Sequence, residues 1–103
     1  MSRYALVLYA YRAPLERMLE TTERHRAYLR GLHTRGLLVA SGPLDPRTGG
    51  ALIFRVRDDE ELRTLLAADP FAEESLVDAT IHFWMPNIGV ALLDALAPAP
   101  TAD

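Results

Sequence analysis

One run of eight residues, YALVLYAY from Tyr4 to Tyr11, constrains this chain more than any other feature. Alternate positions are apolar on both sides: Tyr4, Leu6, Leu8 and Ala10 on one, Ala5, Val7, Tyr9 and Tyr11 on the other. A half-solvated strand alternates apolar with polar, so this pattern predicts a strand buried on both faces. The run is far short of a membrane span and lacks the cleavage pattern of a signal peptide, which leaves a cytoplasmic protein with no membrane partner as the expectation. A chain of 103 residues has room for one compact domain, so the cover for both faces must be found cheaply.

The remaining pattern supplies only one layer of cover. Beyond Pro14 the spacing turns helical, with Leu15, Met18, Thr22, His25, Leu29 and Leu32 on one stripe flanked by Leu19 and Tyr28. Gly36 closes that helix, with Arg35 in its last turn. Leu37 to Ser41 reads as a short strand stopped by Gly42 and Pro43, and Asp45, Pro46, Gly49 and Gly50 as a loop. Leu52 to Arg57 alternates as a third strand. Asp58 with Glu61 three residues on resembles a capping box for a short helix edged by Leu62, Leu65 and Leu66, ended by Asp69-Pro70. Val77 to Met85 is the last strand, stopped by Pro86.

Strand, helix, strand, strand, helix, strand is the split βαβ order of an α+β, ferredoxin-like fold: a four-stranded antiparallel sheet with both helices on one face. The other apolar face then needs a second copy, so a homodimer packed sheet to sheet is expected. Val90, Leu92, Leu93 and Leu96 suggest a turn or two of helix lying on that partner. Residues 1–96 form the expected domain, and the Pro/Ala-rich stretch from Ala97 to Asp103 an expected disordered tail.

Composition removes whole classes of chemistry. There is no cysteine, hence no disulfide framework, thiolate nucleophile, iron–sulfur cluster or cysteine-rich zinc site. All eleven basic residues are arginine, so Schiff-base catalysis, pyridoxal attachment and a lysine-bearing phosphate loop cannot be built. Net charge is -3 with the arginines scattered, which argues against a nucleic-acid partner.

Histidine is the side chain that ordinarily titrates near neutrality, and the chain has three: His25, His33 and His82. No two have metal-ligand spacing; His25 and His33 stand about 12 Å apart along a helix. His25 sits where a leucine would pack better. Its ordinary reading is a core histidine bonded to a carbonyl; that of His33 is contact with helix-end carbonyls, and that of His82, beside Trp84, an interface residue. Ser41, before Gly42-Pro43, projects a hydroxyl where backbone can approach a ligand, or else satisfies loop amides. Asp69 is placed to cap a turn begun by Pro70.

Taken together, His25, the run YLRGLHTRGLLVASGPL from Tyr28 to Leu44, the strand GGALIFRV and the later ADPF at Ala68 to Phe71 resemble the YciI-like (YCII-related) family of small dimeric α+β barrel proteins. The resemblance spans Tyr4 to Met85. It implies a His25–Asp69 dyad at a pocket beside the sheet, with Ser41, Gly42 and Pro43 at the substrate. Family members often carry an arginine where this chain has Thr22, so Arg24 or Arg26 is the candidate for an acidic group, with Arg24 preferred. One branch dehydrochlorinates a chlorinated hydroxyhydroquinone without a cofactor. The reading that follows is a cofactor-independent lyase or isomerase acting on a small phenolic or enolisable molecule. Its alternatives are a metabolite-binding or accessory barrel and a cofactor-free oxygenase.

Overall fold

The computed structural model describes residues 2–96. Its elements run β1 (Arg3–Tyr11), α1 (Leu15–Thr34), β2 (Leu38–Pro43), β3 (Gly49–Val56), α2 (Asp59–Ala67), α3 (Pro70–Glu73), β4 (Val77–Trp84) and α4 (Val90–Leu96). The four strands form one antiparallel sheet in the order β2-β3-β1-β4. This is the expected ferredoxin-like α+β architecture. The expected tail, Ala97–Asp103, lies outside the described residues.

Register explains which face of β1 is which. Ala5 pairs with Phe54 and Phe83, and Val7 with Leu52 and Ile81, so these side chains share one face. Met18, Leu29 and Leu32 of α1, Leu62 and Leu66 of α2, and Phe71 of α3 close over it as the main core. Phe54 is almost wholly enclosed, and truncating it to Ala would cost about 3–5 kcal/mol. The stripe on α1 is narrower than its apolar spacing suggests: Leu15 and Leu19 are exposed, while Thr21 and Thr22 are buried. Leu19 lies about 100° round the helix from Met18, which turns it away from the sheet.

Local signals act where the sequence places them. Gly36, at φ 78, takes the left-handed conformation after α1 and lets Leu37 N–H reach the Leu32 carbonyl at 3.0 Å. Asp58 caps α2 by accepting from Glu61 N–H at 2.8 Å, but Glu61 returns its carboxylate to Arg57 N–H rather than to Asp58. β3 starts earlier than alternation predicts, because Gly49 brings the chain against β1 so tightly that a Cβ there would meet the Tyr9 carbonyl.

The second sheet face is only partly covered. Tyr4, Val39 and Ile53 receive Val90 and Leu93 of α4, so one side of this helix packs on its own chain. Tyr4 and Arg55 are register partners, and together they dock Asp94, which accepts the Tyr4 hydroxyl and lies 3.7 Å from the Arg55 guanidinium. Leu8 remains 44% exposed, and Trp84, Leu92 and Leu96 are also open. Among the described residues no helix is long and apolar enough to cross a membrane.

Candidate functional site

The Asp69-Pro70 step builds the buried end of the site. Pro70 at the first position of α3 needs no amide partner, and Asp69 before it is the N-cap, its Oδ1 accepting Phe71 N–H at 3.0 Å. Capping turns the carboxylate inward, where its side chain is 1% exposed. Two further donors arrive from other elements: the Tyr9 hydroxyl of β1 donates to Oδ2 at 2.8 Å, and His25 Nδ1 of α1 lies 2.8 and 3.0 Å from the two oxygens. A bare carboxylate at this depth would cost several kcal/mol, and these three donors offset that penalty. Capping and partnering a histidine are thus one arrangement.

The same contacts set the histidine's chemistry. A carboxylate can only accept, so beside an ionised Asp69 a neutral imidazole places its proton on Nδ1 and leaves the electron pair on Nε2. The imidazole is 13% exposed on its side chain and stacks on Phe71, with centroids 3.9 Å apart and planes within 7°. Phe71 therefore holds both members, Asp69 through its amide and His25 through its ring. Burial, then the charge of Asp69 and its hydrogen bond, push the Tyr9 hydroxyl far above the usual tyrosine range. Tyr9 remains a neutral donor at any ordinary pH.

His25 lines a cavity of about 490 Å³ between α1 and the β2–β3 edge of the sheet. Ser41, Gly42 and Pro43 line it from β2, placing all three on the histidine's cavity, with Asp69 behind the ring. Ser41 pairs with Leu52, whose side chain belongs to the helix-covered face. Arg24 is not brought there. Its guanidinium lies on Glu74, and Arg26, two positions on, lines the cavity instead. Thr22 also lines it, its hydroxyl donated to the Met18 carbonyl.

His33 bonds to the Leu38 carbonyl in β2 at 2.8 Å rather than to the end of α1, and it too reaches the cavity. His82 alternates with the residues that face α1 to α3, so it belongs to the opposite side of the sheet. Among the described residues no group of three or more His, Cys, Asp or Glu side chains converges to hold a metal ion.

Sequence reasoning placed Tyr9 and Tyr11 only on one face of a doubly buried strand and did not single out Phe71 or Arg47 for the site. The position of Phe71 two residues after a capping aspartate is a signal for its amide, though not for its stacking. Nothing local marks Tyr9 as the partner of a residue 60 positions away.

Solved structures of the same fold exist. The 5-chloro-2-hydroxyhydroquinone dehydrochlorinase TftG from Burkholderia phenoliruptrix AC1100, in complex with 2,5-dihydroxybenzoquinone, superposes with a TM-score of 0.68 at 22% identity, covering 81% of this chain and 95% of that one. SnoaB from Streptomyces nogalater, a cofactor-independent oxygenase, gives 0.50 at 14% identity over 84% and 93% of the two chains. No curated protein sequence matches. The sequence profile of the YCII-related domain, however, matches residues 2–84 and so takes in the whole sheet and the elements that hold His25 and Asp69: this chain belongs to the YCII-related family.

Proposed function

We propose that this protein is a cofactor-independent lyase or isomerase in which His25 moves a proton on a small phenolic or enolisable molecule. The observation that carries the reading is a histidine whose Nδ1 is held by an enclosed carboxylate while the ring lines a cavity of substrate size. Nε2 takes a proton from an acidic C–H or O–H, leaving an enolate or phenolate. The electron pair then either expels a leaving group as an anion or recaptures the proton at another carbon. Asp69 stabilises the imidazolium formed between these steps, and Ser41 donates to a substrate oxygen. That TftG is a dehydrochlorinase and SnoaB an oxygenase supports small-molecule chemistry on this fold.

A second copy covers the open sheet face in this reading. Leu8 and Trp84 are exposed there, Leu6 is half-buried, and α4 packs on Tyr4, Val39 and Ile53. Sedimentation at micromolar concentration is expected to show twice the chain mass.

The test of the chemistry is incubation with hydroxylated aromatics, halophenols and lactones, read by mass spectrometry and by exchange of substrate protons in deuterated water. Elimination or proton exchange is expected, falling by about 10²–10⁴ in His25→Asn with the fold retained. Asp69→Asn should be comparably severe, and the double variant scarcely worse than either. Incorporated oxygen would indicate an oxygenase, and an unchanged bound ligand a binding module; either would overturn the proposal, as would full turnover in His25→Asn.

A further inference from the structure

Arginine placement points to the chemical class of what the cavity binds. The chain has 14 acidic residues and 11 arginines, so carboxylates are in excess. Away from the cavity arginines find them: Arg12 lies on Asp78, Arg17 and Arg24 on Glu74, Arg57 on Glu61, and Arg63 on Asp59. Arg3 lies over the Phe83 ring. Arg26 and Arg47 differ from these. Neither makes an ion pair among the described residues, and both line the cavity that holds His25.

The two come from unrelated parts of the chain, α1 and the loop between β2 and β3, so the tertiary fold brings them to one space. Arg47 is half-buried, and its Nε donates to the Tyr11 hydroxyl at 3.3 Å, which holds the guanidinium to the wall. Arg30, one turn beyond Arg26, also lines the cavity but shares its charge with Glu23. Among the described residues no Asp or Glu lines it. Asp69, behind the ring, already accepts from three internal donors. An acid-rich chain that leaves two guanidiniums without carboxylates around one cavity has left a place for a carboxylate from outside.

We infer that the ligand is a compact carboxylate, its charged group held by Arg47 and Arg26 and its reacting end at His25. The guanidinium fork matches a carboxylate in two parallel hydrogen bonds, which the half-buried position of Arg47 strengthens while the exposed Arg26 adds its charge from the rim. The pairing also serves the chemistry. A substrate that already carries a negative charge resists losing a proton nearby, and a guanidinium on that charge lowers the resistance. The inference names the substrate class for the proton-transfer reading and so rests on it.

The experiment titrates ¹⁵N-labelled protein with 4-hydroxybenzoate and with its neutral match, 4-hydroxybenzamide. The acid is expected to bind about tenfold or more tightly and to shift the side-chain Nε–H signals of Arg26 and Arg47. Arg47→Gln should remove most of that preference, and Arg26→Gln with Arg47→Gln all of it, with the backbone spectrum preserved. Equal affinity for acid and amide, unmoved arginine signals, or a preference that survives in the double variant would overturn the inference. Repeating the titration in His25→Asn separates the two claims. A preference kept there while turnover is also kept defeats the catalytic reading alone; absence of any preference defeats this one alone.

Discussion

Asp69 and Glu74 flank the same short helix, α3, and both reach across to α1, yet they are held in opposite ways. Asp69 is enclosed and takes a hydroxyl, an amide and an imidazole. Glu74 lies nearer the surface and takes the guanidiniums of Arg17, at 2.6 Å, and Arg24, with the Thr21 hydroxyl at 3.0 Å. Arginine never gives up its proton in this setting, so Glu74 serves as a fixed clamp between the helices. Imidazole does exchange its proton, and the carboxylate behind it governs which nitrogen carries it. One helix thus carries a guanidinium-bound carboxylate at one end and an imidazole-bound one at the other, and only the second has a partner that can exchange its proton.

Breaking the two ends should give unequal losses. Asp69→Ala removes a helix cap and leaves the Tyr9 hydroxyl and His25 ring without their partner in a closed space; a loss of about 2–4 kcal/mol in denaturant unfolding is expected. Glu74→Gln should cost less, and its effect should shrink as salt is raised, since the clamp is solvent-accessible. Equal losses, or a salt-independent Glu74 effect, would erase the distinction.

The two ends should also fail at opposite extremes of pH, a smaller effect that sharpens the comparison. Hydrogen bonds from Arg17 and then Arg24 lower the Glu74 carboxyl from about 4.5 to about 2. A lowered acid stabilises the fold above its unfolded pKa and loses that contribution as pH falls, so the Glu74 share should disappear between about pH 4.5 and 2. Tyr9 is raised, by burial first and the Asp69 charge second. Its share is complete below the ordinary tyrosine value near 10 and is lost as pH climbs beyond it. Unfolding free energies across pH should therefore show the acid limb flattened in Glu74→Gln and the alkaline limb flattened in Tyr9→Phe.

Legibility in the sequence followed the range of the interaction. The doubly apolar β1, the Gly36 stop and the Asp69-Pro70 cap act through near neighbours, and each was readable from spacing. His25 stood out because a polar residue interrupted an apolar stripe. Arg24 and Arg26 flank it one step to either side, about 100° each way round the helix, and only the tertiary position of β2 and its loop decides which of them meets the cavity. Periodicity carries no such information. Likewise α4 was legible as an apolar turn, but its docking joins Asp94 to Tyr4, 90 positions away, so its target was not.

Whether Asp69 leaves His25 with a bare Nε2 can be read from ¹⁵N NMR of the imidazole. In the neutral ring a proton is expected on Nδ1 and none on Nε2, with Asp69→Asn shifting the population toward the Nε2–H form. A wild-type His25 that carries its proton on Nε2 would contradict it, because the nitrogen offered to a ligand would then have no electron pair with which to accept one.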